Sequence, residues 1–230
     1  MQEAPASPPP HGELDRLALK YGSDKATVRV GPLVPKGYTT YYERHLAPLR
    51  HAPITLLEIG IWKGASLRMW AEYFPNAKIV GIDSDASCLG MQDGRTSVYV
   101  GDQSDRDFLR KVVESVGSPF DVIIDDGGHR MEQQITSVQE LFPTMARGGL
   151  YAIEDLHTSY TARYGGGKLG AGNTASTLLS SVHHLHARPE LVGPPGLQRR
   201  AGDAPPLDRE VLMRLKSVSF YPSLAVLEAT

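Results

Sequence analysis

The chain has 230 residues, 41% apolar and 22% charged, which suffices for one full α/β-sized domain with attachments and not for two large ones. A formal charge of -2 with no run of Lys or Arg gives no footing for nucleic-acid or anionic-membrane binding and points to small or neutral partners. Cys88 is the only cysteine, which excludes an intramolecular disulfide and a cysteine-rich zinc site; with no secretory-type start and no run near the ~18 apolar residues of a membrane span, a soluble cytoplasmic protein is expected.

Residues 1–11 carry four prolines and read as a disordered tail. Leu14, Leu17 and Ala18 predict a short helix to about Tyr21, broken by Gly22-Ser23-Asp24. A loop through Pro32 and Pro35 carries Lys25 and Lys36. From Thr39, read as a cap, a second helix with Tyr42, Leu46 and Leu49 on one face runs to about Arg50. Residues 12–52 thus form an N-terminal cap.

From residue 53 strands alternate with helices. Strands are predicted at 55–60, 78–83, 97–100, 120–125 and 149–154, with helices at 65–73, after a Ser104 cap, and after His129. Residues 160–208 break the alternation; they are glycine-rich, hold a helix from Thr174 to about Ala187, and are expected to supply a substrate lid. Residues 209–230 give a short helix at 211–215 and a hairpin of SVSFY and LAVLE. The fold expected is a single α/β domain, doubly wound on a mostly parallel sheet of seven strands, with residues 53–159 as its core.

Chemistry-bearing residues follow the strands. Asp125-Asp126-Gly127-Gly128-His129 directly follows the apolar run FDVII, and Glu154-Asp155 follows GLYAI, so carboxylates and a histidine emerge where α/β sheets place ligands. In LLEIGIWKGAS, residues 56–66, Gly60 and Gly64 permit a sharp strand-to-helix turn, and Ser66 lies at the helix start. The middle glycine of a dinucleotide fingerprint is missing. Glu58 would repel phosphates there and suits a ligand with an amino group. Asp83 ends the second strand, where it can accept ribose hydroxyls, and Asp102 and Gln103 follow the third strand, positioned for an adenine edge.

These residues, with YGSDK at 21–25, GYTTYYERHLAPLR at 37–50, GGLYAIEDLHTSY at 148–160 and FYPSLAVLE near the end, resemble the class I S-adenosylmethionine-dependent methyltransferases. The resemblance is to the metal-dependent sugar O-methyltransferases, among them macrolide deoxysugar enzymes and a mycobacterial methylmannose polysaccharide enzyme; beside the macrolide enzymes this chain is short. It implies a Rossmann-like methyltransferase fold, S-adenosylmethionine and Mg²⁺ or Mn²⁺ as cofactors, Asp126, Glu154 and Asp155 as metal ligands, and His129 as the base. It also sets Lys25, Tyr38 and Tyr42 on the cofactor side, with Asp125 facing the cofactor. His157 and Tyr160 are expected to line the acceptor pocket.

The residue chemistry agrees, since three carboxylates make a hard-oxygen site suited to Mg²⁺ or Mn²⁺, and a histidine can take a proton from a metal-activated hydroxyl. The function expected is methylation of a sugar hydroxyl on a glycosylated natural product or oligosaccharide, by a homo-oligomer in which a dimer is favoured. Three alternatives stand beside it. A catechol-type enzyme would typically use a lysine base, and none stands at this position. A nucleotide-cofactor oxidoreductase is opposed by the broken glycine pattern and Glu58. A non-catalytic module would be expected to have lost the carboxylates or His129. His183, His184 and His186 suggest a metal cluster but point to different faces of one helix.

Overall fold

A computed structural model of the chain describes residues 11–168, 170, 172–187 and 205–230. The proline-rich tail to residue 10 and residues 188–204 of the expected variable region lie outside the described residues.

Seven strands form one sheet: β1 Thr55–Ile59, β2 Lys78–Asp83, β3 Thr96–Val100, β4 Phe120–Asp125, β5 Met145–Ile153, β6 Leu215–Tyr221 and β7 Leu224–Ala229. Their order is β3-β2-β1-β4-β5-β7-β6. The first five are parallel, and β7 runs antiparallel to both neighbours. Successive strand residues point to opposite faces, so the central strands are apolar on both sides and the core divides in two. Leu56, Val122 and Ile124 pack with the N-terminal cap on one face; Leu57, Ile59 and Ile123 pack on the other with Leu109, Val112 and Leu141.

Among the described residues the helices are α1 Glu13–Tyr21, α2 Thr39–Leu46, α3 Ala65–Tyr73, α4 Arg106–Val116, α5 Met131–Leu141, α6 Thr174–Ala187 and α7 Arg209–Arg214. Among the described residues none is long and apolar enough to cross a membrane. Helix α1 ends as expected, on Gly22 in the left-handed region with φ 74°, its amide bonding back to Leu19.

Four boundaries differ from the sequence reading. Helix α2 stops at Leu46 and tightens into a 3₁₀ turn, Ala47–Leu49, because Pro48 has no amide to continue it. Thr39 is inside that helix and its hydroxyl goes to Asp15 Oδ1 at 2.6 Å instead of capping. Asp105, not Ser104, caps α4, accepting from the amides of Asp107 and Phe108. Strand β5 begins four residues early, at Met145, across an irregular step opposite β4.

Beyond β5 the chain does not leave as a free flap. It turns through two 3₁₀ segments, Leu156–Tyr160 and Ala162–Tyr164, and Gly166 packs so closely that a Cβ would lie 2.4 Å from the Ser159 carbonyl oxygen.

Candidate active site

The strand order reverses beside β1, with β2 and β3 on one side and β4 and β5 on the other. At such a switch point a crevice opens outside the carboxyl ends of the strands. Here it is a cavity of about 580 Å³, walled by the chain just beyond β1 to β4 and by Lys25, Leu33 and Lys36 of the N-terminal loop.

Gly60 makes the first turn possible. Its φ is 83°, and a Cβ would lie 2.1 Å from the Asp126 carbonyl oxygen, so a side chain has neither the backbone region nor the space. Asp83 holds the same turn, its Oδ2 accepting from the amides of Ile61 at 3.0 Å and Trp62 at 2.8 Å. Ser66 lines the cavity and donates to Glu58 Oε2 at 2.8 Å. Trp62 stands at the rim, 59% exposed.

Three of the expected cofactor residues, Glu58, Gln103 and Asp125, turn their polar groups to protein partners, whereas Asp102 lines the cavity as expected. Glu58 is fully buried, and the cation facing it is the Lys25 ammonium at 3.6 Å. Gln103 reaches the cavity wall but turns its amide inward, donating to Asp125 Oδ1 at 3.0 Å and accepting from the Gly128 amide at 2.8 Å. Asp125 does not face the cavity: its carboxyl is buried, which pushes its pKa up to about 6, and Gln103 and Tyr151 supply its hydrogen bonds. Asp102 lines the cavity while its Oδ1 closes a turn with the amide and hydroxyl of Ser104, both at 2.8 Å. Buried polar groups need partners, and for Gln103 and Asp125 neighbouring protein groups supply them.

Asp126, Glu154 and Asp155 share one arrangement. In each, one carboxylate oxygen is held from behind. Lys25 Nζ bonds Asp126 Oδ2 at 2.6 Å and Glu154 Oε1 at 2.8 Å, Tyr42 donates to Glu154 Oε1 at 2.7 Å, and Tyr38 donates to Asp155 Oδ1 at 2.8 Å. The remaining oxygens turn towards a common point, where Lys36 Nζ lies 3.0 Å from Asp126 Oδ1, 3.2 Å from Asp155 Oδ2 and 3.7 Å from Glu154 Oε2. Tyr38 and Tyr42, expected on the cofactor side, therefore brace the carboxylates, and Lys25 does so while lining the cavity.

Charge follows from this packing. Burial would raise the Asp126 carboxyl, but Lys25 and Lys36 outweigh it and hold the group at about 2. Burial and then the charge on Asp126 push Glu154 up. Among the described residues Glu58, Asp126, Glu154 and Asp155 face two ammoniums, so the fully ionised cluster keeps two formal negative charges. Glu154 Oε2 is buried without a hydrogen-bond partner. An all-oxygen face with excess negative charge and an orphaned carboxylate oxygen fits a small hard divalent cation.

His129 stands beside that face, its Nε2 3.4 Å from Asp155 Oδ2. One donor atom each from Asp126, His129 and Asp155 lie within 4.8 Å of one another. Nδ1 is buried and unpartnered, which leaves Nε2 as the nitrogen that a ligand can reach. Burial lowers the imidazole pKa below 6.5 against the pull of Asp126 and Asp155. His129 and Asp155 hold φ of 56° and 55°, costly for residues with side chains, and Thr158 donates to the His129 carbonyl at 3.2 Å. Tyr164 packs edge-on to the imidazole, the ring centroids 6.4 Å apart.

His157 is exposed and its Nδ1 is 2.7 Å from Ser223 Oγ; Tyr160 is exposed nearby in sequence. His183 is exposed and His184 half-buried, as two faces of one helix require; the His186 side chain lies outside the described residues. Lys36 is the site residue that sequence reasoning missed. Its one signal was its place directly before the GYTTYY stretch, because nothing local connects it to carboxylates some 90 residues on.

Residues 57–156 match a family model described as a methyltransferase domain. The chain is 38% identical over 231 positions to a rhamnosyl tetracenomycin-C 3'-O-methyltransferase of Streptomyces olivaceus, covering 94% of this chain and 54% of that one. It is 41% identical over 186 positions to the L-olivosyl-oleandolide 3-O-methyltransferase of Streptomyces antibioticus, covering 74% and 46%. Among solved structures, MycE from the mycinamycin pathway, in complex with Mg, SAH and mycinamycin VI, superposes with a TM-score of 0.77 at 28% identity, over 95% of this chain and 54% of that chain. The chain thus spans about half the length of the curated relatives it matches.

Proposed function

We propose, from the premise that this chain carries a class I methyltransferase domain related to the antibiotic-sugar O-methyltransferases, that it transfers a methyl group from S-adenosylmethionine to a sugar hydroxyl of a glycosylated natural product or oligosaccharide. The observation that carries this reading is the convergence of one oxygen each from Asp126, Glu154 and Asp155 beside His129, with Asp126 and His129 on the wall of a cavity that also holds the Gly60 turn.

In this reading S-adenosylmethionine supplies an activated methyl group and a divalent cation, Mg²⁺ or Mn²⁺, makes the acceptor hydroxyl more acidic. The chain's own residues do the rest. Gly60, Ser66, Asp83 and Asp102 bound the cofactor end of the cavity. Asp126, Glu154 and Asp155 hold the cation, their outer oxygens fixed by Lys25, Tyr42 and Tyr38 so that the inner ones are already aimed. His129, neutral because burial lowers its pKa, accepts the hydroxyl proton at Nε2, and Asp155 at 3.4 Å stabilises the imidazolium. The freed oxygen would attack the sulfonium methyl carbon in line, the C–O bond forming as the C–S bond breaks and S-adenosylhomocysteine leaves, and holding both partners in one cavity supplies the alignment. His157 and Tyr160, expected to line the acceptor pocket, are exposed and lie outside the lining of this cavity.

Lysines at the site do not make it a catechol-type enzyme with a lysine base. Lys25 and Lys36 are each ion-paired to several carboxylates, which raises their pKa far above neutrality and keeps them protonated. We further place the enzyme in the cytoplasm as a homodimer joined through its N-terminal cap, which light scattering on the purified protein checks.

The direct test is calorimetric titration with S-adenosylmethionine and, separately, NAD(H), with and without Mg²⁺, followed by transfer of labelled methyl to a panel of deoxysugar glycosides. Binding of the sulfur ligand alone and metal-dependent labelling are expected. Absence of binding by S-adenosylmethionine and its demethylated product overturns the reading.

A further inference from the structure

Lys36 has no role in the chemistry above, yet it occupies the central point of the site. We infer that Lys36 is a built-in counter-cation, which offsets part of the charge of the three-carboxylate face before metal arrives, and that a divalent cation binds there by displacing the Lys36 ammonium. The inference rests on Asp126, Glu154 and Asp155 being metal ligands and adds what sets their affinity.

The two lysines of the cluster are built for different tasks. The Lys25 side chain is 1% exposed and lies behind the carboxylates, taking Asp126 Oδ2 and Glu154 Oε1 and facing Glu58. It has nowhere to go. Lys36 approaches from the opposite side, is 19% exposed, and lines the open cavity. It faces the inner oxygens Asp126 Oδ1, Asp155 Oδ2 and Glu154 Oε2. The ammonium hydrogen-bonds Asp126 Oδ1 at 3.0 Å and leaves Glu154 Oε2 unsatisfied at 3.7 Å, whereas Mg²⁺ draws its ligands to about 2.0–2.1 Å. A divalent charge and an ammonium crowded on the same three oxygens repel one another. The flexible stem of Lys36 can swing its charge into the cavity while its backbone stays pinned by the bonds of Lys36 N to Asp24 O at 2.8 Å and Gly37 N to Ala26 O at 2.9 Å. Lys36 also pairs with Asp24 Oδ2 at 3.3 Å, a nearby carboxylate outside the metal face that keeps a partner for the released ammonium.

The test is Mn²⁺ binding, read by calorimetry or by the electron paramagnetic resonance signal of free Mn²⁺, on wild type, Lys36→Met and Lys36→Arg without acceptor. Lys36→Met, which keeps the apolar stem and removes the competing charge, is expected to bind Mn²⁺ at least about tenfold more tightly. It should also melt at a lower temperature than wild type without metal and recover with it. Lys36→Arg should bind no more tightly than wild type. If Lys36→Met fails to fold, Lys36→Gln carries the same expectation. Unchanged or weaker Mn²⁺ binding in the charge-removing variants overturns the inference and leaves the metal site standing. No Mn²⁺ binding by wild type or any variant overturns both.

Discussion

Tyr42 donates its hydroxyl to Glu154 Oε1 at 2.7 Å across 112 residues of sequence, so that a helix of the N-terminal cap braces a carboxylate at the end of the central sheet. Both groups are buried. In Tyr42→Phe the ring still packs edge-on against Trp70, while Glu154 loses one of its two donors behind the face. A buried acceptor deprived of a donor costs about 1–3 kcal/mol. Urea unfolding of the variant should show that loss, and Mn²⁺ binding should weaken because the inner oxygen is less well aimed. A variant as stable as wild type would mean that Lys25 alone suffices.

Gly60→Ala tests the turn that joins the two halves of the cavity. The new methyl would sit 2.1 Å from backbone, not from a flexible side chain, and φ of 83° is itself unfavourable. Relief requires moving the loop that begins with Asp126. The expected result is a loss of more than about 3 kcal/mol together with loss of S-adenosylmethionine binding, read by denaturation and calorimetry on the same preparation. Retained cofactor binding would remove the turn from the binding site.

Much of this was legible in the sequence. The strands after residue 53 announce themselves as short apolar runs, and the acidic and glycine residues that follow them mark the carboxyl ends, so the fold and the location of the site could be read. Side-chain direction could not. Gln103 and Asp125 sit at strand ends like ligand residues, yet they bond one another at 3.0 Å beneath the cavity, because each is the nearest partner for the other's buried polar group. The roles of Tyr38, Tyr42 and Lys36 were hidden for a second reason, since their partners lie about 90 to 117 residues away and no local pattern encodes that pairing.

Asp15 gives a pH prediction away from the active site. Its buried carboxylate ties α1 to the loop that carries Lys36, accepting from the Thr27 amide at 2.8 Å and from the hydroxyls of Thr27 and Thr39, both at 2.6 Å. Burial opposes ionisation, but these bonds outweigh it and lower the pKa below 3.8. A lowered carboxyl pKa stabilises the fold above the unfolded-state value, and that contribution disappears as pH falls through the folded value. Asp15→Asn should therefore be less stable than wild type by about 1–3 kcal/mol at neutral pH. The difference should shrink on acidification below about pH 4, as melting curves at successive pH values would reveal. A gap that is constant with pH would show that the carboxylate charge is not what the hydroxyls recognise.

His129 and Asp126 separate the base from the metal face. Asp126 contacts both lysines, and its removal leaves Lys25 and Lys36 with fewer counter-charges, so Asp126→Ala should lose Mn²⁺ binding and activity together. His129 is held by its backbone, through the Thr158 bond to its carbonyl, while its ring approaches Asp155 at 3.4 Å and packs edge-on with Tyr164. His129→Ala should keep S-adenosylmethionine and Mn²⁺ binding within a few-fold of wild type while kcat falls by about 10²–10⁴, the usual contribution of a positioned general base. Raising pH should restore part of the lost rate, since hydroxide then competes as the proton acceptor. Turnover in His129→Ala equal to wild type would remove His129 from the proton transfer and leave the metal face as the only activating group.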